Sequence, residues 1–383
     1  MSCIYLDNAA TSFPKPEPVY AAVDSYQRNL GVAFGRGATR RGGDVQRVVE
    51  QCRLNAARLF GVACPEQVIF TSSGTDSLNM ALRGLLQTGD RVLTTVWDHN
   101  SVLRPLRELQ LQGEITVELI PDDGHGQLDL DALDRLLKVN SRLVAITHAS
   151  NVTGIVQPVQ EVARRAHAAG ALVLLDAAQT AGHLPVSLLE LDVDLIACPG
   201  HKGLLGPLGT GLLILAPELG KQLRPLRYGG TGTSSESDRQ PESAPEKFEA
   251  GNQNVPGLFG LAAALEWRGN EMRESSEPQL IHALIQGLHQ LPGVQVHCFE
   301  PGLPRVGLVS FSMSRMTPQV IAGILDEHFQ IETRAGLHCA PQAHRALGTL
   351  ASGGTVRLSL GPFTTPEEID LTLEALAQIA VAA

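Results

Sequence analysis

The stretch Cys198–Gly211, CPGHKGLLGPLGTG, carries one lysine, Lys202, inside a run of glycines and prolines. It is flanked by VDLIA (193–197) and LLIL (212–215), two apolar runs of the kind that form buried strands. A lysine is seldom buried without a partner. Held in a glycine-rich turn between two core strands, its amine is a candidate for chemistry. An exposed lysine on a surface hairpin is the plainer reading of the same fourteen residues, and this segment alone does not choose between them.

The sequence around it is built the same way. EQVIFTSSGTDSLNMALRGLL (66–86) reads as a short strand, a Ser/Gly/Thr turn and a helix, and in DRVLTTVWDHNSV (90–102), SRLVAITHASNVTG (141–154) and ALVLLDAAQTAG (171–182) an apolar run likewise leads into a polar cluster. Continuous rather than alternating apolar runs point to strands covered on both faces, as in a mostly parallel sheet flanked by helices. DVQRVVEQCRLNAARLFG (44–61) and VQEVARRAHAAG (159–170) have helical spacing, with Asp44 as an N-cap and Gly61 and Gly170 as stops. In open α/β sheets ligands lie beyond the carboxyl ends of the strands. The polar clusters at 71–75, 98–100, 150–151, 176–179 and 199–202 are therefore expected to converge on one site. Lys202 is expected one helix-plus-strand unit after Asp176.

The 383 residues suffice for two domains, and 43 % hydrophobic with 18 % charged residues is an ordinary globular balance. The net charge of −10 leaves no basic footprint for nucleic acid. No apolar run is long enough to span a bilayer, and the first residues show no signal peptide, so neither membrane nor export is expected. The six cysteines (Cys3, Cys52, Cys64, Cys198, Cys298 and Cys339) are scattered. They suggest reduced thiols in the cytosol rather than a disulfide framework or zinc ribbon. PDDGHGQLDLDAL (121–133) lacks the ligand register of an EF-hand and reads as a turn with Asp129 as a helix N-cap. Residues 228–251 are rich in Gly, Ser, Pro and charge and read as a long loop, and a mixed α/β segment follows to the end.

One cofactor suits this set. A phosphate, a ring with a basic nitrogen and an aldehyde need an anion cradle, an acid, a stacking group and an amine, and pyridoxal phosphate has all three features. SSGT (72–75) opens a helix whose amides suit phosphate. Asp176 ends a buried strand, His99 offers a ring, and Lys202 offers the amine. Taken singly, Asp176 could be a helix cap, His99 a loop histidine and SSGT a capping turn. Their joint occurrence in this order carries the reading.

YLDNAATSFPKP (5–16), FTSSGTDSLNMA (70–81), DHNSV (98–102), SNVTG (150–154), LLDAAQTAG (174–182), PGHKGLLGPLGTG (199–211), FEAGNQN (248–254), TRAGLHCAP (333–341) and VRLSLGPFTTPEEID (356–370) together resemble the successive motifs of the class V aminotransferase superfamily. Within it they resemble the cysteine desulfurase and selenocysteine lyase branch, over nearly the whole chain. The resemblance implies the fold type I architecture of pyridoxal-phosphate enzymes. A large domain (15–255) would carry a mostly parallel, seven-stranded sheet, and residues 1–14 with 256–383 would form a smaller α/β domain. It implies a homodimer. It implies that Lys202 forms the Schiff base and that Asp176 and Gln179 meet the ring nitrogen and hydroxyl. His99 would stack on the ring and move protons, and Asn151 would reach the hydroxyl region. Gly74, Thr75 and His201 would hold the phosphate. Arg357 would clamp the substrate carboxylate, with Asn8 nearby, and Cys339 would stand where desulfurases keep their nucleophile.

The chain departs from the pattern at Pro199, where relatives have serine, and at Asn252, where relatives often have a threonine that reaches the neighbouring subunit's phosphate. The loop 229–246 also differs. The segment RAGLHCAPQAHRALG (334–348) is polar and glycine-bearing, which favours a reactive Cys339 over an inert buried thiol. A zinc site of His338, Cys339 and His344 lacks a fourth ligand and the usual spacing. The expected activity is conversion of L-cysteine to L-alanine, with the sulfur carried as a persulfide on Cys339 and passed to a small thiol or a carrier protein. A cysteine or cystine lyase releasing pyruvate, a selenocysteine lyase, an aminotransferase, and a sulfur-relay scaffold with a vestigial site are the alternatives.

Overall fold

The computed structural model describes residues 3–35, 39–233, 236–271, 276–297 and 302–382. Cys298 and two residues of the 229–246 loop lie outside them. The strands are β1 (Ile4–Tyr5), β2 (Val68–Thr71), β3 (Arg91–Thr95), β4 (Thr116–Ile120), β5 (Leu143–Thr147), β6 (Leu172–Asp176), β7 (Leu195–Pro199), β8 (Gly211–Leu215), β9 (Val294–Val296), β10 (Leu308–Met313), β11 (Ile331–Glu332), β12 (Arg334–Gly336) and β13 (Thr355–Ser359). The helices are α1 (Glu17–Ser25), α2 (Arg40–Leu59), α3 (Gly74–Leu85), α4 (Asn100–Leu111), α5 (Leu130–Leu136), α6 (Val159–Ala168), α7 (Leu219–Gln222), α8 (Val255–Glu271), α9 (Glu277–Gln290), α10 (Pro318–Phe329), α11 (Pro341–Ala346) and α12 (Pro366–Ala382).

β2 to β8 form a seven-stranded sheet in the order β2-β8-β7-β6-β5-β3-β4. Only β8 runs against its neighbours. The continuous apolar runs are explained by burial on both faces. Val68, Phe70, Ile196, Leu212 and Ile214 enter one core with α2, α6 and α8. Ile69, Leu195, Ala197, Leu213 and Leu215 enter the other with α3 and α4. This is the fold type I arrangement that the resemblance implied.

Two local expectations are corrected. The second helix begins at Arg40, not at Asp44. Thr39 caps it by accepting from Gly42 N at 3.1 Å, and Asp44 pairs with Arg47 inside the helix. Gly42 and Gly43, poor helix formers, hid the first turn from the sequence pattern. Between β6 and β7 there is no helix; residues 177–194 run through turns.

A second core gathers Ile4 and Leu6 with α9, α10, α12, β10 and β13. It is reached by β1 pairing in parallel with β11. The antiparallel sheet beside it has the order β12-β13-β10-β9. The apolar side of α8 belongs to the core of the large sheet, so the change of core falls after α8.

Candidate active site

The register of the large sheet puts its strand ends together. Thr147 pairs with Asp176, and Pro199 and Thr71 both pair with Gly211. Beyond these ends lies a cleft with an empty volume of ≈ 530 Å³, partly open to solvent. It is lined by Ser73, Gly74, Thr75, Leu78, His99, Ser101, Thr147, Asn151, Asp176, Ala178, Gln179, Pro199, His201 and Lys202. All five polar clusters contribute to it.

The glycines around Lys202 answer a packing demand. Gly182, in the turn after Asp176, has φ +87°, and a Cβ there would lie 2.2 Å from the Gly203 carbonyl oxygen. A Cβ on Gly203 would lie 2.4 Å from the Ala181 oxygen. The turns carrying Asp176 and Lys202 touch backbone to backbone because neither has a side chain there.

The same loop is tied from outside. The His201 carbonyl accepts from Ser12 N (3.1 Å), Ser12 Oγ (3.1 Å), Thr11 Oγ1 (3.2 Å) and Lys15 Nζ (2.7 Å). Burial lowers the Lys15 amine to about 8. Burial also lowers Lys202 from 10.5 to about 8, against the opposing pull of Asp176. An amine so lowered is partly neutral near physiological pH and can act as nucleophile or base. The buried Asp176 carboxyl is raised by desolvation, opposed by the Ala178 N–H (3.0 Å) and Lys202.

The anion cradle is the start of α3. Ser73 caps it by accepting from Asp76 N at 3.1 Å, and a Cβ on Gly74 would meet Pro199 Cδ at 3.0 Å. Pro199 thus packs directly on the cradle. His201 Nδ1 lies 3.1 Å from Thr11 Oγ1, and burial lowers it to about 4. Gln179 Nε2 donates to the Ala9 carbonyl at 3.2 Å. Asn151 Oδ1 is buried without a partner among the described residues. A cradle closed only by glycine, a buried amine, a strand-end carboxylate and an unpaired amide oxygen form a set that fits pyridoxal phosphate.

Cys339, Arg357, Asn8 and Asn252 do not line the cleft. Arg357 is 1 % exposed, on β13. Its Nη2 donates to Asp7 Oδ1 at 2.7 Å, its Nη1 to the Asn151 carbonyl at 3.1 Å, and its Nε has no partner among the described residues. Asn151 Nδ2 donates to the His338 carbonyl at 2.7 Å, which joins Arg357 to the cysteine loop. Asn8 is committed to backbone, donating to Tyr5 and Ser359 carbonyls and accepting from Phe13 N. Asn252 is exposed.

Cys339 is exposed and, like His338, has positive φ (57° and 47°). Its carbonyl accepts from Asn100 N at 2.8 Å, and Arg334 Nη2 lies 3.7 Å from its Sγ. His338 and His344 instead pair with Thr355 and Thr349, and burial pushes both imidazoles far down. Among the described residues no three groups could hold a metal, and no helix is long and apolar enough to cross a membrane.

Sequence reasoning missed Asp7, Lys15 and Ser101, and reached Arg334 only as the first residue of the segment 334–348 around Cys339. Asp7 and Lys15 stand inside the quoted YLDNAATSFPKP, so a charge beside a candidate residue was the available signal. Asp98, buried, accepts from Thr94 Oγ1 and from Thr95 N and Oγ1, and burial raises it to about 6.

The chain matches the aminotransferase class-V family over residues 4–372. It is 35 % identical to a protein from Methanothermobacter thermautotrophicus named probable cysteine desulfurase, over 98 % of this chain and 94 % of that one. It is 30 % identical to one from Cronobacter sakazakii named cysteine desulfurase, over 98 % and 93 %. Among solved structures it is similar to an apo cysteine desulfurase from Thermococcus onnurineus NA1 (TM-score 0.92, 32 % identity, 100 % and 95 % covered). It is also similar to the Escherichia coli cysteine desulfurase CsdA in its S-sulfonic acid form (TM-score 0.88, 30 % identity, 99 % and 95 % covered). A match that runs through all three sheets and every element of the cleft settles the kinship: the chain belongs to the class-V aminotransferase family.

Proposed function

We propose that the protein is a pyridoxal-phosphate-dependent cysteine desulfurase, which converts L-cysteine to L-alanine and carries the sulfur as a persulfide on Cys339. The observation that carries this reading is the exposed Cys339 thiol, 3.7 Å from Arg334 Nη2, on a loop bonded to α4 and, through Asn151, to Arg357. A homodimer in the cytosol belongs to the same proposal. It rests on the family's habit and on the scattered cysteines.

Bound in the cleft, the cofactor supplies an electron sink for the substrate α-carbon. Lys202 would hold its aldehyde, Asp176 its ring nitrogen, Asn151 and Gln179 its hydroxyl, and Gly74, Thr75 and His201 its phosphate, with Asn252 serving the phosphate of the neighbouring subunit. Arg357 is positioned for the substrate carboxylate, its unpartnered Nε being a donor in want of an acceptor. The Lys202 amine, lowered to about 8, can take the α-proton and return it. His99 is neutral near pH 7, since burial and the charges of Lys202, Arg334, Arg357 and Arg104 lower it to about 4.

Cys339, with Arg334 Nη2 3.7 Å from its Sγ, then attacks the substrate sulfur as the thiolate. An S–S bond forms, the C–S bond breaks, and its electron pair stays on the substrate carbon. Protonation of that carbon completes alanine. A thiol acceptor takes the outer sulfur and returns Cys339 to its thiol.

The test is a product assay with L-cysteine and a reductant, measuring alanine, sulfide and pyruvate together. Alanine and sulfide in equal amounts support the reading. Pyruvate formed at an undiminished rate by Cys339→Ala makes the protein a lyase, and a colourless, inactive protein makes it a scaffold.

A further inference from the structure

His99 is the N-cap of α4 through its ring, because Nδ1 accepts from Ser101 N at 3.0 Å. A backbone N–H can only donate, so this nitrogen carries a lone pair and the ring proton sits on Nε2. Ser101 Oγ lies 2.9 Å from the same Nδ1 and 2.7 Å from Thr75 Oγ1. The two hydroxyls thus form a chain from the first turn of α3 to the imidazole. With Thr75 donating to Ser101, the Ser101 hydroxyl donates to Nδ1 and meets the same lone pair as the amide. Lys202, Arg334, Arg357 and Arg104 all oppose a charged ring, and the positive end of α4 adds to them. The ring is therefore neutral; the amide N–H favours the Nε2–H tautomer, and the hydroxyl adds a second donor to the same lone pair.

We propose that Ser101 is a positioning residue for His99: its hydroxyl, held by Thr75, and its backbone N–H together fix the imidazole in the cleft as the Nε2–H tautomer. His99 then meets a bound molecule as a hydrogen-bond donor. A ring free to exchange tautomers would spend part of its time as an acceptor. The inference deepens the reading above, but its test reads nitrogen signals, so it can fail or stand independently of turnover.

The experiment is a long-range proton–nitrogen correlation spectrum of the full-length, cofactor-loaded protein with 15N-labelled histidine, His99 being assigned with His99→Asn. The expected result is a protonated Nε2 and an unprotonated Nδ1. In Ser101→Ala the Nδ1 signal is expected to move toward the averaged position of two exchanging tautomers, and in Ser101→Thr to return to the parental one. Thr75→Val should follow Ser101→Ala, and the double variant should add little, because the hydroxyls act as one chain. With L-cysteine, Ser101→Ala should lose about tenfold in kcat with little change in KM, a fraction of the ~10²–10⁴ a placed acid–base group supplies. A parental His99 protonated on Nδ1, or a Ser101→Ala spectrum identical to the parental one, overturns the assignment. A Ser101→Thr spectrum that stays with Ser101→Ala also overturns it, since shape rather than the hydroxyl would then be at work.

Discussion

Arg357 Nη2 is held by Asp7 Oδ1 at 2.7 Å, while among the described residues Nε of the same buried guanidinium has no acceptor. One edge of the fork is pinned by the protein and another is reserved. Arg357→Lys keeps a charge but loses the fork. It is expected to cut kcat/KM for L-cysteine by about a hundredfold, the scale of two lost charge-assisted hydrogen bonds, chiefly through KM. Asp7→Asn leaves a buried cation without its partner and is expected to cost about 3 kcal/mol of stability, read as a lower denaturant midpoint.

The Lys202 amine at about 8 makes a pH prediction with a definite sign. In cofactor-free protein, the rate at which the cofactor aldehyde is captured should rise with pH through about 8 and level off above it. An ordinary lysine would keep gaining toward 10.5. Asp176 favours the ammonium form, so Asp176→Asn should move the rise to lower pH. Stopped-flow absorbance reads both curves.

The approach of Gly182 and Gly203 predicts a sharp steric limit. Gly203→Ala would put a Cβ 2.4 Å from the Ala181 oxygen and 2.5 Å from His183 Cδ2. The turns bearing Asp176 and Lys202 must then part, at about 1–3 kcal/mol for forced overpacking. Cofactor affinity, followed by absorbance titration, should fall at least tenfold, since it depends on both turns at once. Unchanged affinity would mean that the turns are not held by this contact.

Much of this architecture is legible in the sequence because two-sided burial leaves continuous apolar runs, and β2, β5, β6, β7 and β8 carry them. The strand-end polar clusters follow from the same runs and pointed to SSGT (72–75), His99, Asp176 and Lys202, whereas Asn151, Gln179 and His201 were given roles only through the family resemblance. The first turn of α2 was hidden by Gly42 and Gly43. The turns between β6 and β7 passed for a helix because VSLLELD (186–192), after Pro185, mixes apolar and polar residues at helical spacing. What the sequence does not encode is pairing over long separations. Nothing local to Arg357 announces Asp7, 350 residues away, and nothing local to His201 announces Lys15. Ser101 looked like an ordinary first-turn serine until Thr75 and His99 stood on either side of it.

Arg334 Nη2 lies 3.7 Å from the sulfur, while His338 and His344 turn to threonines. Arg334→Ala is expected to slow alkylation of Cys339 by iodoacetamide several-fold at fixed pH, with Arg334→Lys in between. His344→Gln should leave that rate unchanged while lowering stability, because its ring is buried beneath the loop. Equal rates for Arg334→Ala and the parent would remove the guanidinium from the sulfur's chemistry.

The most direct measurement of the central claim is peptide mass mapping of the cofactor-loaded protein after one turnover with L-cysteine and no reductant. The account predicts that the peptide bearing Cys339 gains one sulfur atom, that a reductant removes it, and that one alanine appears per sulfur gained. A Cys339 peptide of unchanged mass while alanine or pyruvate accumulates would contradict it.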